Sequence, residues 1–152
     1  MQTLPLRDSS AWDLAAVEAF LSSARIPLRL ACNAGKGTPL ICSLWFVYAD
    51  GCLWCATPAD AAVAAWLAED QRCGFEVAVN EIPYKGVRGQ GSAVLLPEAG
   101  AEVLGRLIDR YLERRSSPLA RWLLGRADTE LAIRIEPRWV TAWDFSARMR
   151  DV

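Results

Sequence analysis

An α+β fold built on an antiparallel β-barrel, with about six strands and three flanking helices, is what this sequence predicts. Three observations carry the prediction. Short runs rich in β-branched and aromatic residues recur along the chain, joined by turn-forming glycines, as in "LICSLWFVYADGCLWCA". Three other segments repeat apolar residues at helical spacing, two of them opening on a capping residue and two on a proline. No repeat, linker or low-complexity stretch divides the 152 residues, so 1–152 reads as one domain, long enough to bury a core.

Taken in order, the first helix is signalled by Ser10 as cap, with Asp13 three residues later as in a capping box. Leu14, Val17, Leu21 and Ala24 share one of its faces, and Pro27 follows its end. Leu28, Leu30 and Cys32 then alternate as in a strand with one buried face. Residues 33–39, NAGKGTP, read as a turn, because their Gly-Lys-Gly-Thr lacks phosphate-loop spacing and opens no helix. Residues 40–48 read as a central strand, Asp50-Gly51 as a hairpin turn, and residues 52–56 as the returning strand. Thr57 is placed to cap a second helix, with Pro58 at its first position and Asp60 in its first turn.

Phe75, Val77 and Val79 alternate as another strand, and a loop with Pro83-Tyr84 leads into a long one over 86–96. Its glycines suit a bend or bulge, and Gly-Gln-Gly at 89–91 inside a strand is no dinucleotide fingerprint. A third helix spans 97–115, and a short amphipathic segment covers 119–124. Residues 131–135 and 139–145 make two further strands.

Composition narrows the chemistry. The net charge of −1 and a pI near 5.5 offer no basic face for nucleic acid. No apolar run approaches the ~20 residues of a membrane span, and the N-terminus lacks a signal-peptide pattern, so a cytosolic setting is expected. There is no histidine, which removes Ser-His and Cys-His nucleophile pairs and imidazole metal ligands together. An enzyme with this composition relies on a bound cofactor for its chemistry.

The one C-x-x-C, Cys52 and Cys55, lies in a predicted strand, where side chains three apart point to opposite faces. A disulfide needs Cα atoms within roughly 7 Å, and zinc needs two more ligands that Cys32, Cys42 and Cys73 do not supply in a second C-x-x-C. The cysteines read as packing residues, and no metal is expected. Arg114, Arg115, Arg121 and Arg126 read as a solvated face balanced by Asp109 and Glu113. Trp45, Trp54 and Trp143 are strand residues suited to core packing, or to bordering a flat ligand.

The order "GTPLICSLWFVYADGCLWCATP", helix, "RCGFEVAV", "PYKGVRGQGSAVLL", "AIRIEPRWVTAWDF" resembles the pyridoxamine 5'-phosphate oxidase-related, flavin-binding split-barrel superfamily. The resemblance spans residues 26–145 and rests on a succession of short motifs. It implies a homodimer with FMN at the subunit interface, acting on a small-molecule substrate. The flavin ring is then expected along the strand before the hairpin, at Ser43, Leu44, Trp45 and Phe46, and the phosphate at Ala56 and Thr57. Free N–H groups and the dipole of the following helix favour an anion there. Relatives carry a deazaflavin or haem instead, and haem usually takes a histidine.

One departure stands out. Six residues beyond the threonine, relatives carry an arginine-lysine pair that reaches the phosphate, and here Ala62 and Val63 stand in those positions. Each lost charge-assisted hydrogen bond costs about 1.5–3 kcal/mol. Lys85 and Arg88 are the nearest candidates to replace that charge. Two functions follow as expectations: an FMN-dependent oxidoreductase, or a split-barrel binding or interaction protein without tight flavin binding. Basic residues that would mark oxidation of pyridoxamine phosphate itself are not recognisable.

Overall fold

The structure is a computed structural model and describes residues 2–150. In chain order its elements are helix α1 (Leu14–Ser23) and strands β1 (Leu28–Asn33), β2 (Pro39–Leu44), β3 (Val47–Ala49) and β4 (Cys52–Pro58). Helix α2 (Ala62–Glu69), strands β5 (Arg72–Ala78) and β6 (Lys85–Leu96), helices α3 (Gly100–Tyr111) and α4 (Pro118–Leu124), and strand β7 (Glu130–Asp144) follow. The strands form one antiparallel sheet in the order β2-β1-β5-β6-β7-β4-β3. The sheet curls until edge strand β2 touches β4 near the other edge, an open-sided barrel. The expected α+β barrel is therefore present, with seven strands and four α-helices among the described residues.

Alternation fills the curl. Leu28 and Leu30 of β1, Leu53 and Cys55 of β4, Phe75 and Val77 of β5, and Ile133 and Ile135 of β7 point inward. Helix α1 adds Val17 and Leu21, and α2 adds Val63 and Leu67. Fully burying one such aliphatic side chain contributes roughly 1.5–3 kcal/mol. Outside the barrel, α3 lays Val103 and Leu107 on Ala132 of β7, while its Leu104 and Ile108 pack on Ala120 of α4. On the outer face of the sheet, Ile41 and Ser43 of β2 and Arg88 and Gln90 of β6 are exposed.

The Asp50-Gly51 turn matches expectation. Both residues have positive φ, +54° and +73°, and Ala49 pairs with Cys52 across a two-residue hairpin. Cys52 and Cys55 lie in β4 as expected, and all five cysteines are free thiols.

Several boundaries differ from expectation. Residues 40–48 are not one central strand but two short ones, β2 and β3, at opposite edges of the sheet. The chain breaks at Trp45-Phe46 because the Phe46 N–H donates to the Tyr111 hydroxyl at 3.3 Å instead of to a ladder. The cap of α1 is Asp13, whose carboxylate accepts the Ala16 N–H at 2.8 Å. Ser10 instead donates to the Trp12 carbonyl and accepts the Ala142 N–H, tying the N-terminal segment to β7.

Thr57 does not cap α2. Pairing of Thr57 with Leu131 and Pro58 with Glu130 prolongs β4, and α2 opens at Ala62 after Ala61, with no side-chain cap. The segment over 97–115 is a single 3-10 turn, Pro97–Ala99, and then α3, which ends at Tyr111. The two strands expected over 131–145 are one. It passes through Pro137 because a bulge opposite Gln90 and Gly91 leaves Arg138 as the extra residue.

Candidate functional site

The residues expected to hold a flavin fall into three places. Leu44 and Phe46 turn into the barrel core, Phe46 with no exposure at all. Trp45 and Ala56 pack outside the barrel against the α3 cluster. Trp45 stacks on Tyr111, with ring centroids 4.9 Å apart and planes 5° from parallel. Thr57 is buried in β4. At the crossover and the end of β4, backbone is therefore what these residues leave available to a ligand, and the Phe46 N–H is already taken.

The second place is the corner after β4. The Ala59 N–H donates to the Thr129 carbonyl at 2.8 Å, which binds the corner to the segment before β7. The first-turn N–H groups of α2 have no intrahelical acceptor, as at any helix N-terminus, and no side chain caps them. Ala62 is exposed there, while Val63 packs into the core, so a basic side chain at 63 would have to displace core packing. Charge comes from elsewhere: Arg126 lines a cavity at this corner with Ala59, Asp60, Gly125 and Thr129. Glu130 lies close by, 8% exposed, with Oε2 unpartnered. Burial raises its pKa, and the nearby Arg126 works in the opposite direction.

Arg126 was hidden in the sequence within the run of four arginines. Arg115, by contrast, is the balanced surface residue that run suggested, bonded to Asp109 at 2.7 Å.

The third place is the open outer face. Ser43 pairs with Arg29, Arg29 with Glu76, Glu76 with Arg88 and Arg88 with Thr141, one row across five strands. Ser43 and Arg88 are thus on one face, three strands apart, and both exposed. The next row is Ile41, Ala31, Gly74, Gln90 and Trp139. Two adjoining grooves lie on this face and share Ala31, Gly74 and Gln90. Lys85 lies at the end of β6, opposite Asp144, and not in these grooves. Bonds from Ser146, then one from Trp12 and last the nearby Lys85, hold the Asp144 carboxyl below its ordinary value.

Burial pushes the Cys73 thiol up to about 12 and raises Cys32, Cys42, Cys52 and Cys55 as well. None is an activated nucleophile. Among the described residues, no group of three or more Cys, Asp or Glu is placed to hold a metal ion.

No family model matches the sequence, and no curated protein matches it. The fold does recur among solved structures. A conserved hypothetical protein from Mycobacterium tuberculosis aligns with a TM-score of 0.77 at 24% identity, over 91% of this chain and 89% of that one. An F420 reductase aligns with a TM-score of 0.66 at 18% identity, over 80% and 93%. An FAD-binding protein from Mesorhizobium loti aligns with a TM-score of 0.63 at 19% identity, over 86% and 94%. The chain shares the split-barrel fold of these structures, as expected from its sequence. At these identities the likeness is one of fold.

Proposed function

We propose that this chain is a flavin-binding oxidoreductase of a small-molecule substrate, working as a homodimer in the cytosol, with FMN as its cofactor. The observation that carries the proposal is the corner after β4. There the uncapped first turn of α2 offers N–H donors, and Arg126 lines the adjoining cavity. A cofactor phosphate fits that combination of helix N-terminus and guanidinium. The ring would lie toward the backbone of Ser43, Leu44 and Trp45, with Arg88 on the open face supplying further charge. Lys85 is held opposite Asp144 and makes the weaker contribution. A bound flavin would supply the hydride chemistry; the chain's own part is to bind it and exclude water. A second copy packed over the open face would cover Ile41, which is 67% exposed.

A deazaflavin in place of FMN is supported by the likeness to an F420 reductase, since that coenzyme is a deazaflavin. A split-barrel binding protein without tight flavin affinity is the second reading, favoured by Ala62 and Val63 where relatives carry basic residues. Titration of the purified chain with FMN and with a deazaflavin, read by quenching of cofactor fluorescence, separates the three. Micromolar FMN binding by a dimer supports the proposal. A colourless chain that ignores both cofactors at millimolar concentration defeats it and leaves the binding-protein reading.

A further inference from the structure

Glu130 is a buried carboxylate with an oxygen that nothing in the fold satisfies. It is 8% exposed, and its Oε2 has no hydrogen-bond partner. A buried acceptor in that position is costly unless it takes a proton or meets a donor. Its backbone is pinned on two sides. Glu130 pairs with Pro58 of β4, and a Cβ on Gly100 of α3 would come within 2.1 Å of its carbonyl oxygen.

The cation beside it is Arg126. Charged groups on the surrounding elements are Asp60 at the corner, Glu98 and Glu102 about the start of α3, and Asp128 in the turn before β7, all exposed. Arg126 is the charge that acts on the Glu130 carboxyl, against the effect of burial. Its guanidinium lies over the Trp122 ring, 4.8 Å from the centroid, and lines the cavity after β4. It makes no ion pair among the described residues. Glu130 and any anion in that cavity therefore face the same guanidinium.

We infer that Glu130 and a bound anion compete for Arg126, so that filling the corner draws a proton onto Glu130 and anion affinity rises as pH falls. An ionised Glu130 repels the anion and draws on Arg126, whereas a protonated one does neither. Proton and anion then favour each other by the same factor. An anion on Arg126 also cancels the charge that favoured the carboxylate, so the proton is held to higher pH. Affinity is greatest with Glu130 protonated and declines as pH rises through its titration. No histidine is present to give the same dependence, and Asp70, Asp109 and Asp144 are held low. The coupling stands on the corner alone, whereas a cofactor phosphate as the anion rests on the flavoprotein reading.

The test titrates FMN and riboflavin into the full chain and into Glu130→Gln, between about pH 5 and 8, by fluorescence quenching. The phosphate of FMN itself titrates at about 6, equally for both chains, so the ratio of their affinities isolates Glu130. At the upper end Glu130→Gln binds FMN about tenfold more tightly than the parent, and the two converge at the lower end. Riboflavin binds both alike at every pH. Sulfate, a dianion throughout this range, is titrated into the parent by calorimetry and binds more tightly as pH falls. That measurement carries the test if Glu130→Gln fails to fold.

Equal FMN affinities of the parent and folded Glu130→Gln at every pH overturn the inference, and so does a sulfate affinity that ignores pH. Either result with FMN still bound leaves the cofactor reading intact. Sulfate binding that strengthens as pH falls, with no flavin bound, defeats the cofactor reading and leaves this one standing. A parent that binds neither FMN nor sulfate overturns both.

Discussion

The Tyr111 ring lies parallel to that of Trp45, 4.9 Å away, and its hydroxyl fastens the chain on either side of β1 and β2. That hydroxyl accepts the Phe46 N–H at 3.3 Å and donates to the Ile26 carbonyl at 3.0 Å. One side chain from α3 therefore fixes where β1 begins and where the chain leaves β2 for β3. Next to it in α3, Arg110 donates to the Leu21, Ser22 and Ala24 carbonyls at the end of α1. The C-terminal half of α3 thus clamps α1 and the strand crossover together.

Tyr111→Phe separates the two parts of that clamp, because it keeps the stack on Trp45 and removes both hydrogen bonds. The Ile26 carbonyl and Phe46 N–H are left without their partner, and the loss expected is about 1–3 kcal/mol. Urea unfolding of the variant gives the value directly. A variant as stable as the parent would show that the ring stack alone secures the crossover.

Glu130 predicts a pH dependence. Its carboxyl is buried with one oxygen unpartnered, and burial raises its pKa above the ordinary 4.5. A raised acid binds its proton more tightly in the folded chain than in the unfolded one. Its stabilising contribution is present below 4.5 and is lost as pH rises through the higher folded value. Glu130→Gln removes that loss. The variant is expected to unfold at higher urea concentration than the parent at neutral pH, and to converge with it below 4.5. A variant less stable than the parent at neutral pH would mean that Arg126 outweighs burial.

Gly51 is fixed by both its backbone and its neighbour. Its φ is +73°, and a Cβ there would come within 2.1 Å of the Gln2 carbonyl oxygen. Gly51→Ala is expected to cost at least about 1–2 kcal/mol from the left-handed backbone alone. Asp50, with φ +54°, has an exposed side chain, and Asp50→Gly should be tolerated. Thermal unfolding of the two variants side by side checks the contrast.

What the sequence disclosed and what it hid divide by range. Asp50-Gly51 was legible because a two-residue hairpin is set by its own backbone. The alternation of Leu28, Leu30, Phe75 and Val77 was legible because one buried face demands it. The break in residues 40–48 was not, because the Tyr111 that causes it lies 65 residues away. Thr57 had every local mark of a helix cap, and pairing with Leu131 overrode them. At the candidate site, Arg88 and Ser43 could be named from their motifs, but the row that joins them depends on strand order. Arg126 reaches the corner after β4 only because the chain packs Thr129 against Ala59.

Arg126 is where the cofactor proposal is most exposed to experiment. If the phosphate lies at the corner after β4, Arg126→Glu places a carboxylate where the guanidinium supplied charge. The change removes an attractive charge-assisted bond and adds repulsion, so FMN affinity should fall by about 10- to 150-fold or more. Riboflavin, which has the same ring and no phosphate, should bind parent and variant alike. That comparison separates the phosphate from the ring. Equal loss for both ligands would point to a damaged fold, which the Tm of the variant would reveal. Unchanged FMN affinity with an intact fold would move the phosphate away from α2, and Arg88 would become the residue to reverse next.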